Sequence, residues 1–423
     1  MAVNGHHPAT PYFERRPFVP DLDDEDRFPP VGIIDAGGTS TAKPANIKAA
    51  PFEWCEPSKI PLRQWLYGGH FIRRYLSVTV SPGGIGKSSL EIAEALSMVS
   101  GRDLLGIVPE GKFKVWYWNG EDPLDELQRR IMAAALHYEL EPADLHGRLF
   151  VNSGRDTEII IAQQDRNGVT VAVPVVDAIK ETICENGIDV LIIDPFVSSH
   201  GVSENDNGAI DRVAKTWAKI AEETNCSIEL VHHSRKTNGN EVTVEDSRGA
   251  VALLSAARSA RVLNQMTKDE GERAGVEFRR QHFRVDNGKA NLAPPPEGST
   301  WFKLESVDLG NGNGMLGSYG DRIGVVAQWQ WPDPMADVSV KDLRAAQTAV
   351  SGGRWRDNPQ AADWVGKAIG QALHLDPADP KDKRRICSML KTWKANGMFV
   401  VVEGKDAKHN TRSFVEVGEW ATD

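Results

Sequence analysis

The chain has 423 residues, 40% of them apolar, enough to bury a sizeable core in two or three domains. A net charge of −10 and an isoelectric point near 5.6 exclude a surface that is basic all round, so any nucleic-acid contact is expected in a local patch or channel. Cys55, Cys184, Cys226 and Cys387 stand far apart without a C-x-x-C pair, which excludes a disulfide framework and a zinc site; with no run near the roughly 18 apolar residues of a membrane span, a soluble cytoplasmic protein is expected.

Residues 1–50 hold DLDDEDRFPP, scattered Pro and Gly and few periodic apolar positions, so they cannot bury enough surface to offset ordering entropy. A solvated, disordered tail is expected there, the acidic run and the His6-His7 pair included. From 51 to 330, short apolar runs alternate with helical stretches in the rhythm of an α/β, doubly wound, mostly parallel sheet. The runs YLSVTV (75–80), KVWYW (114–118), DVLIID (189–194), SIELV (227–231) and ARVLN (260–264) have the β-branched character of strands buried on both faces. Between them, 87–100, 125–135, 175–185 and 211–223 carry helical spacing. TEIIIAQQDRNGVTVAVP has two β-prone arms around Arg166-Asn167-Gly168 and predicts a hairpin inserted in the core. WFKLESV and RIGVVAQW predict antiparallel edge strands closing the domain.

A linker is expected over 331–358, then a small α+β unit over 359–423. Trp364, Ile369 and Leu373 mark one helix, and Ile386, Met389, Leu390 and Trp393 put an apolar stripe on a second. MFVVVEG and SFVEVG form two strands after it, and helix, helix, hairpin is a winged-helix order. Residues 381–412 hold nine Lys or Arg against three Asp or Glu.

SPGGIGKSS (81–89) sits directly between a strand and a helix, the context a phosphate-binding P-loop requires. The cradle runs through Gly83, Gly84, Ile85, Gly86, Lys87, Ser88 and Ser89. Its glycines let backbone N–H groups turn inward around phosphate oxygens, and the helix start adds partial positive charge. Lys87 supplies a mobile cation for the β and γ phosphates, and the Ser88 hydroxyl is placed for Mg2+. ATP and Mg2+ are the expected ligands. The usual first glycine is replaced by Ser81.

Asp194 ends VLIID, where a carboxylate reaches the Mg2+ shell across the sheet from the loop. The next residue is Pro195, so the Asp-Glu pair of AAA+ ATPases is missing and the water-activating carboxylate must come from elsewhere. Glu121, just past KVWYWNG, is the leading candidate, placed at the end of a strand expected to neighbour the P-loop strand, in the RecA/DnaB manner. Asp122 is the alternative, or else the N-cap of the helix opening at Pro123. His232 and His233 follow SIELV, where a polar group can sense the γ phosphate.

These pieces resemble the RepA-type hexameric replicative helicases of plasmids and phages, relatives of DnaB. SPGGIGKSS, NGEDP, LIIDPFVSSHGVSENDN, LVHHSRK, SRGAVALLSAARSA and FRVDNGKANLAP occur in the family's order over about residues 60–295. The resemblance implies a RecA-like fold, Glu121 as catalytic glutamate, Asp194 as the metal-side aspartate and His233 as the sensor. It also implies a homo-hexameric ring whose ATP sites lie between subunits, each completed by a neighbour's cation. Composition leaves Arg248, Arg258, Arg261 and Arg284 open; the resemblance favours Arg258, with Lys289 as a second contact in trans. It places ENDN (204–207) either in a DNA-facing loop or in a plain polar loop.

The expected activity is ATP-driven movement along single-stranded DNA, as a helicase or translocase. Lys383, Arg384, Lys391, Lys394, Lys405, Lys408 and Arg412 would contact phosphates of single-stranded or duplex DNA from the C-terminal unit. The competing expectation is a regulatory protein whose ATP binding switches assembly and whose C-terminal unit recognises a duplex. A small-molecule P-loop kinase would need an arginine-rich lid and a GTPase an N-K-x-D motif, and the sequence shows neither.

Overall fold

The computed structural model describes residues 49–166, 168–234, 241–243, 250–294, 298–312 and 320–422. The chain divides into two units, residues 1–61 and 62–423. Within the first, the described residues hold one 3-10 turn, Pro57–Lys59; the tail expected over 1–50, with its acidic run and His6-His7, lies outside them but for residues 49 and 50.

The second unit opens with a small antiparallel pair, β1 (Trp65–Tyr67) and β2 (Phe71–Ile72). Then come β3 (Leu76–Ser81), α1 (Lys87–Ser100), β4 (Val115–Asn119), α2 (Leu124–His137), the single turn α3 (Pro142–Leu145) and β5 (Leu149–Ser153). The inserted hairpin, β6 (Ala162–Asp165) with β7 (Gly168–Val171), precedes α4 (Val173–Asn186), β8 (Val190–Asp194), α5 (Asn207–Thr224) and β9 (Ser227–His233). The sheet is completed by α6 (Ala250–Ala256), β10 (Ser259–Gln265), α7 (Lys268–Ala274), β11 (His282–Ala290), β12 (Thr300–Asp308) and β13 (Arg322–Gln328).

Nine strands form one mixed sheet in the order β13-β12-β11-β10-β3-β9-β8-β4-β5. From β10 to β5 the strands run parallel, and β11 to β13 close the edge antiparallel. This is the expected α/β arrangement around a mostly parallel sheet. Every residue of β3, β4 and β8 is buried, as continuous apolar strands covered on both faces require. On one face α1 and α2 bring Leu90, Leu96, Leu127 and Ile131 against Tyr117, Ile192 and Leu263. On the other, α4 and α5 bring Ile179, Val213, Trp217 and Ile220 against Val78, Leu191 and Leu230. Trp217 is fully buried, and side chains of this kind each contribute about 1.5–3 kcal/mol of transfer free energy.

One expectation fails. β4 does not neighbour the P-loop strand β3; β9 and β10 do, and β4 lies beyond β9 and β8. The chain leaves β3 through α1 and crosses over two strand positions, which later parallel strands fill.

After the sheet come α8 (Val340–Ser351), β14 (Trp355–Arg356), α9 (Val365–Ala372), α10 (Pro380–Ala395), β15 (Phe399–Lys405) and β16 (Thr411–Val417). The three strands form a sheet in the order β14-β16-β15. Residues 331–358, expected as linker, thus contain a helix capped by Ser339, whose Ala346 and Val350 pack with Trp364, Ile369, Met389 and Trp393 in a third core. The short apolar stripe of α8 sits among polar residues, so helical periodicity alone left it unassigned.

Candidate functional site

The loop between β3 and α1 has the backbone that a phosphate cradle needs. Gly84 and Gly86 have φ of +80° and +114°, the left-handed region where side chains are strained. A Cβ added at Gly83 or Gly84 would meet nothing within 4 Å, so these residues border open space, whereas one at Gly86 would press Leu304 and Phe283 at 3.2 and 3.4 Å. Gly86 therefore lets α1 start against β11 and β12. Ile85 turns its side chain into the core, leaving only its backbone to the loop. Lys87 opens α1 and is itself buried. Ser88 follows in the first turn and is half-buried. Ser89 donates its hydroxyl to the Gly324 carbonyl at 3.1 Å, so this side chain fastens α1 to β13 and is not free for a phosphate. Ser81, the departure at the first loop position, ends β3 buried and donates its hydroxyl to the Pro82 carbonyl at 2.8 Å.

Strand register carries three further groups to this edge. Ser81 pairs with His233, and Asn119 with Asp194. Glu121, two residues past the end of β4, comes back over the end of β8 until its Oε1 lies 3.6 Å from His233 Nε2. The His233 imidazole is held below its usual range by burial and then by the Lys87 charge, so it is neutral near pH 7. His232 points the other way and is buried beside Phe196, with Glu204 4.0 Å from its Nδ1. Of the pair, His233 is the one that meets Glu121.

Asp194 is buried, and Tyr117 Oη donates to its Oδ2 at 2.8 Å. Burial and then the Asp194 charge hold the Tyr117 phenol well above its ordinary range, so it remains a donor at any physiological pH. Asn119 Nδ2 lies 3.4 Å from the same oxygen, while Asn119 Oδ1 accepts from the backbone N–H groups of Glu121 and Asp122 at 3.0 and 2.8 Å. One side chain thus links the Asp194 carboxylate to the turn that presents Glu121. Arg155 braces that turn by donating to the Glu121 carbonyl at 2.8 Å. Tyr117 and Arg155 had no signal in the sequence; Asn119 stood in the NGEDP motif without a role. Asp122 does not cap α2: the N-cap residue is Pro123, and Asp122 pairs with Arg130 at 3.1 Å instead.

The chemistry of the donors fits a P-loop Mg2+ site: a serine hydroxyl in the first turn of α1 and a buried carboxylate at the end of β8, with ATP oxygens and water completing the shell. Among the described residues no group of three or more His, Cys, Asp or Glu is placed to hold a metal ion.

The arginine candidates separate by environment. Arg261 is buried and forks onto Glu94 with two bonds of 2.6 Å. Arg284 is engaged by Glu241, Glu270 and Asp286 at 2.7, 2.6 and 2.9 Å. Arg248 lies outside the described residues. Arg258 is exposed, its guanidinium over the Tyr75 ring, just before β10 and at the opposite end of β3 from the P-loop. Lys289 lies at the same end, paired with Ala260, and donates to the Leu254 carbonyl at 2.5 Å. Neither can reach the chain's own P-loop.

The remaining assignments divide likewise. Asp206 of ENDN is the N-cap of α5, accepting from Gly208 and Ala209, and Asn207 begins that helix, so half of the motif is structural. In α10, Lys383 sits over Trp364, Arg384 approaches Gly275 just past α7, and Lys394 pairs with Asp357 at 2.7 Å. Arg412 pairs with Asp406 at 3.3 Å, while Lys391, Lys405 and Lys408 are exposed. No described helix is long and apolar enough to cross a membrane.

A family model described as an AAA domain matches residues 41–239, a little under half of the chain, and takes in the P-loop, Glu121, Asp194 and His233. Among solved structures, the crystal structure of the RadB recombinase aligns with a TM-score of 0.36 at 15% identity, covering 56% of this chain and 89% of that one. The cradle after β3 and the carboxylate ending β8 both lie within the matched segment, so over residues 41–239 the chain is similar to an AAA domain.

Proposed function

We propose that the protein hydrolyses ATP with Mg2+ to drive movement along single-stranded DNA, as a RepA-like helicase or translocase working as a homo-hexameric ring. The observation that carries this reading is the division of the machinery between two ends of one sheet. Glu121, His233, Asp194 and Lys87 gather at the P-loop end, and Arg258 with Lys289 at the other. Such a subunit completes a site only with a second copy, whose cation meets the γ phosphate.

Within the site, Lys87 and the loop amides hold the phosphates, and bound Mg2+ would be held by Ser88 and Asp194 while offsetting phosphate charge. Glu121 accepts the proton of the attacking water, and neutral His233, 3.6 Å away, reports the γ phosphate to that base. The test is the ATPase rate with and without single-stranded DNA, beside particle imaging. Stimulation by DNA and ring-shaped particles support the motor; slow, DNA-independent turnover with tight duplex binding would favour the ATP-switched regulatory protein.

The helix, strand, helix, helix, strand, strand order of the C-terminal unit agrees with a winged helix. Its contribution to DNA binding falls to Lys391, Lys405 and Lys408, because Lys383, Arg384 and Lys394 are turned to Trp364, to Gly275 and to Asp357. Changing these three exposed lysines to Glu should weaken DNA binding and flatten its salt dependence. Unchanged affinity would make the unit a protein-binding module.

A further inference from the structure

Beneath the P-loop lies a buried charged cluster that ATP chemistry does not require. Glu91 and Glu94, one and nearly two turns into α1 from Lys87, are 0% and 2% exposed. They face Arg261 of β10, whose guanidinium takes Glu94 with both terminal nitrogens at 2.6 Å and reaches Glu91 at 3.1 Å. Its Nε donates at 2.8 Å to Thr79 of β3. One side chain therefore holds the phosphate-binding helix, the P-loop strand and β10 together.

The cluster continues toward the far end of β10. His70, in the turn between β1 and β2, lies 3.0 Å from the buried Glu229 and 2.8 Å from the Ser259 hydroxyl. Ser259 follows Arg258 directly, and the Arg258 backbone N–H bonds the Leu76 carbonyl at the start of β3 at 2.9 Å. Charges buried this way are costly unless fully paired, and an apolar contact between α1 and the sheet would be at least as stable. What the ion pairs add is registry: a forked guanidinium fixes one relative position of helix and strand, whereas apolar faces slide. Burial raises the Glu91 carboxyl well above the usual carboxylate range, against the opposing pull of the Arg261 charge.

We propose that Arg261 is a positioning residue, locking the phosphate-binding helix to β10 so that the state of a subunit's own P-loop sets the position of the Arg258 it offers to its neighbour. The inference rests on the reading of Arg258 as a cation acting in trans. A shift of α1 on phosphate binding or release is carried by β10 as a stiff element, and both sites bias the same joint.

The test is a double-mutant cycle between Glu94→Gln and Arg258→Ala in the full chain, with kcat, KM, fluorescent-ADP affinity and thermal midpoint measured for each protein. Arg258→Ala should lower kcat by about 10³-fold or more. Glu94→Gln, which keeps an oxygen for the fork but drops the charge, should lower kcat by roughly 10-fold with KM and ADP affinity within about twofold. The double variant should be no slower than Arg258→Ala alone, because Glu94 acts only through that cation. If the two losses multiply, the inference is overturned while the trans reading stands. If Arg258→Ala turns over normally, both fall. Should Glu94→Gln lower the thermal midpoint by more than about 5 °C, Arg261→Lys, which keeps the charge and loses the fork, takes its place with the same expected and overturning outcomes.

Discussion

Replacing Tyr117 by Phe removes one oxygen from a fully packed position and leaves the ring in place. The lost bond, 2.8 Å to Asp194 Oδ2, is made to a buried carboxylate, and such bonds contribute about 1.5–3 kcal/mol. Asn119 Nδ2, at 3.4 Å, is the neighbouring donor, and the same side chain already holds the Glu121 turn through its Oδ1. It cannot rotate to compensate without loosening that turn. Loss of such an outer contact typically lowers metal affinity by about 10–100-fold. Titrating a fluorescent ATP analogue against Mg2+ should show half-saturation at a concentration higher by that factor, while affinity in EDTA stays within about twofold. A folded Tyr117→Phe protein with unaltered Mg2+ dependence would refute the claim that this phenol orients Asp194.

Other outcomes follow from the same geometry. Gly120→Ala would set a Cβ 2.3 Å from Ser198 Cβ and 2.8 Å from the Trp118 ring, so the turn carrying Glu121 must move; the expected result is a stability loss of about 1–3 kcal/mol and a kcat at least about 10-fold lower with nucleotide binding kept, and normal turnover would count against it. His200 is pushed down to about 4 from 6.5 by burial and then by the charge of His232. Since the unfolded chain takes up this proton near pH 6.5 and the folded one only near pH 4, the stabilisation is complete above 6.5 and is lost as pH falls between the two, about 3 kcal/mol in all. Denaturant titrations over that window should show a slope that His200→Asn flattens; identical slopes would dismiss His200 as the source. Lys87→Ala should abolish measurable ATP binding, and retained affinity would move the site elsewhere.

The parts of the molecule that depend on local pattern were legible in the sequence. Strand, glycine-rich turn and helix at 76–88 reported themselves because each local preference agreed with the next. Spatial order did not. That Glu121 belongs to a strand separated from β3 by β9 and β8 depends on crossovers, which no motif spacing encodes. Charged residues in the core were equally hidden: Glu91 and Glu94 in LEIAEAL have the look of a solvated face until Arg261, 167 residues after Glu94, is brought onto them. The basic helix near the C-terminus shows the converse, since Lys394 reads as a free cation by composition and is paired with Asp357 in the fold.

The central claim is that Glu121 activates water in an ATPase coupled to DNA. It is tested most directly by measuring phosphate release by the wild-type chain and by Glu121→Gln, each with and without single-stranded DNA, alongside ATP binding. Wild-type turnover should rise with DNA, and Glu121→Gln should bind ATP normally yet release phosphate at least about 10²-fold more slowly under both conditions. A Glu121→Gln protein that hydrolyses ATP at the wild-type rate, or a wild-type rate indifferent to DNA, would contradict the account.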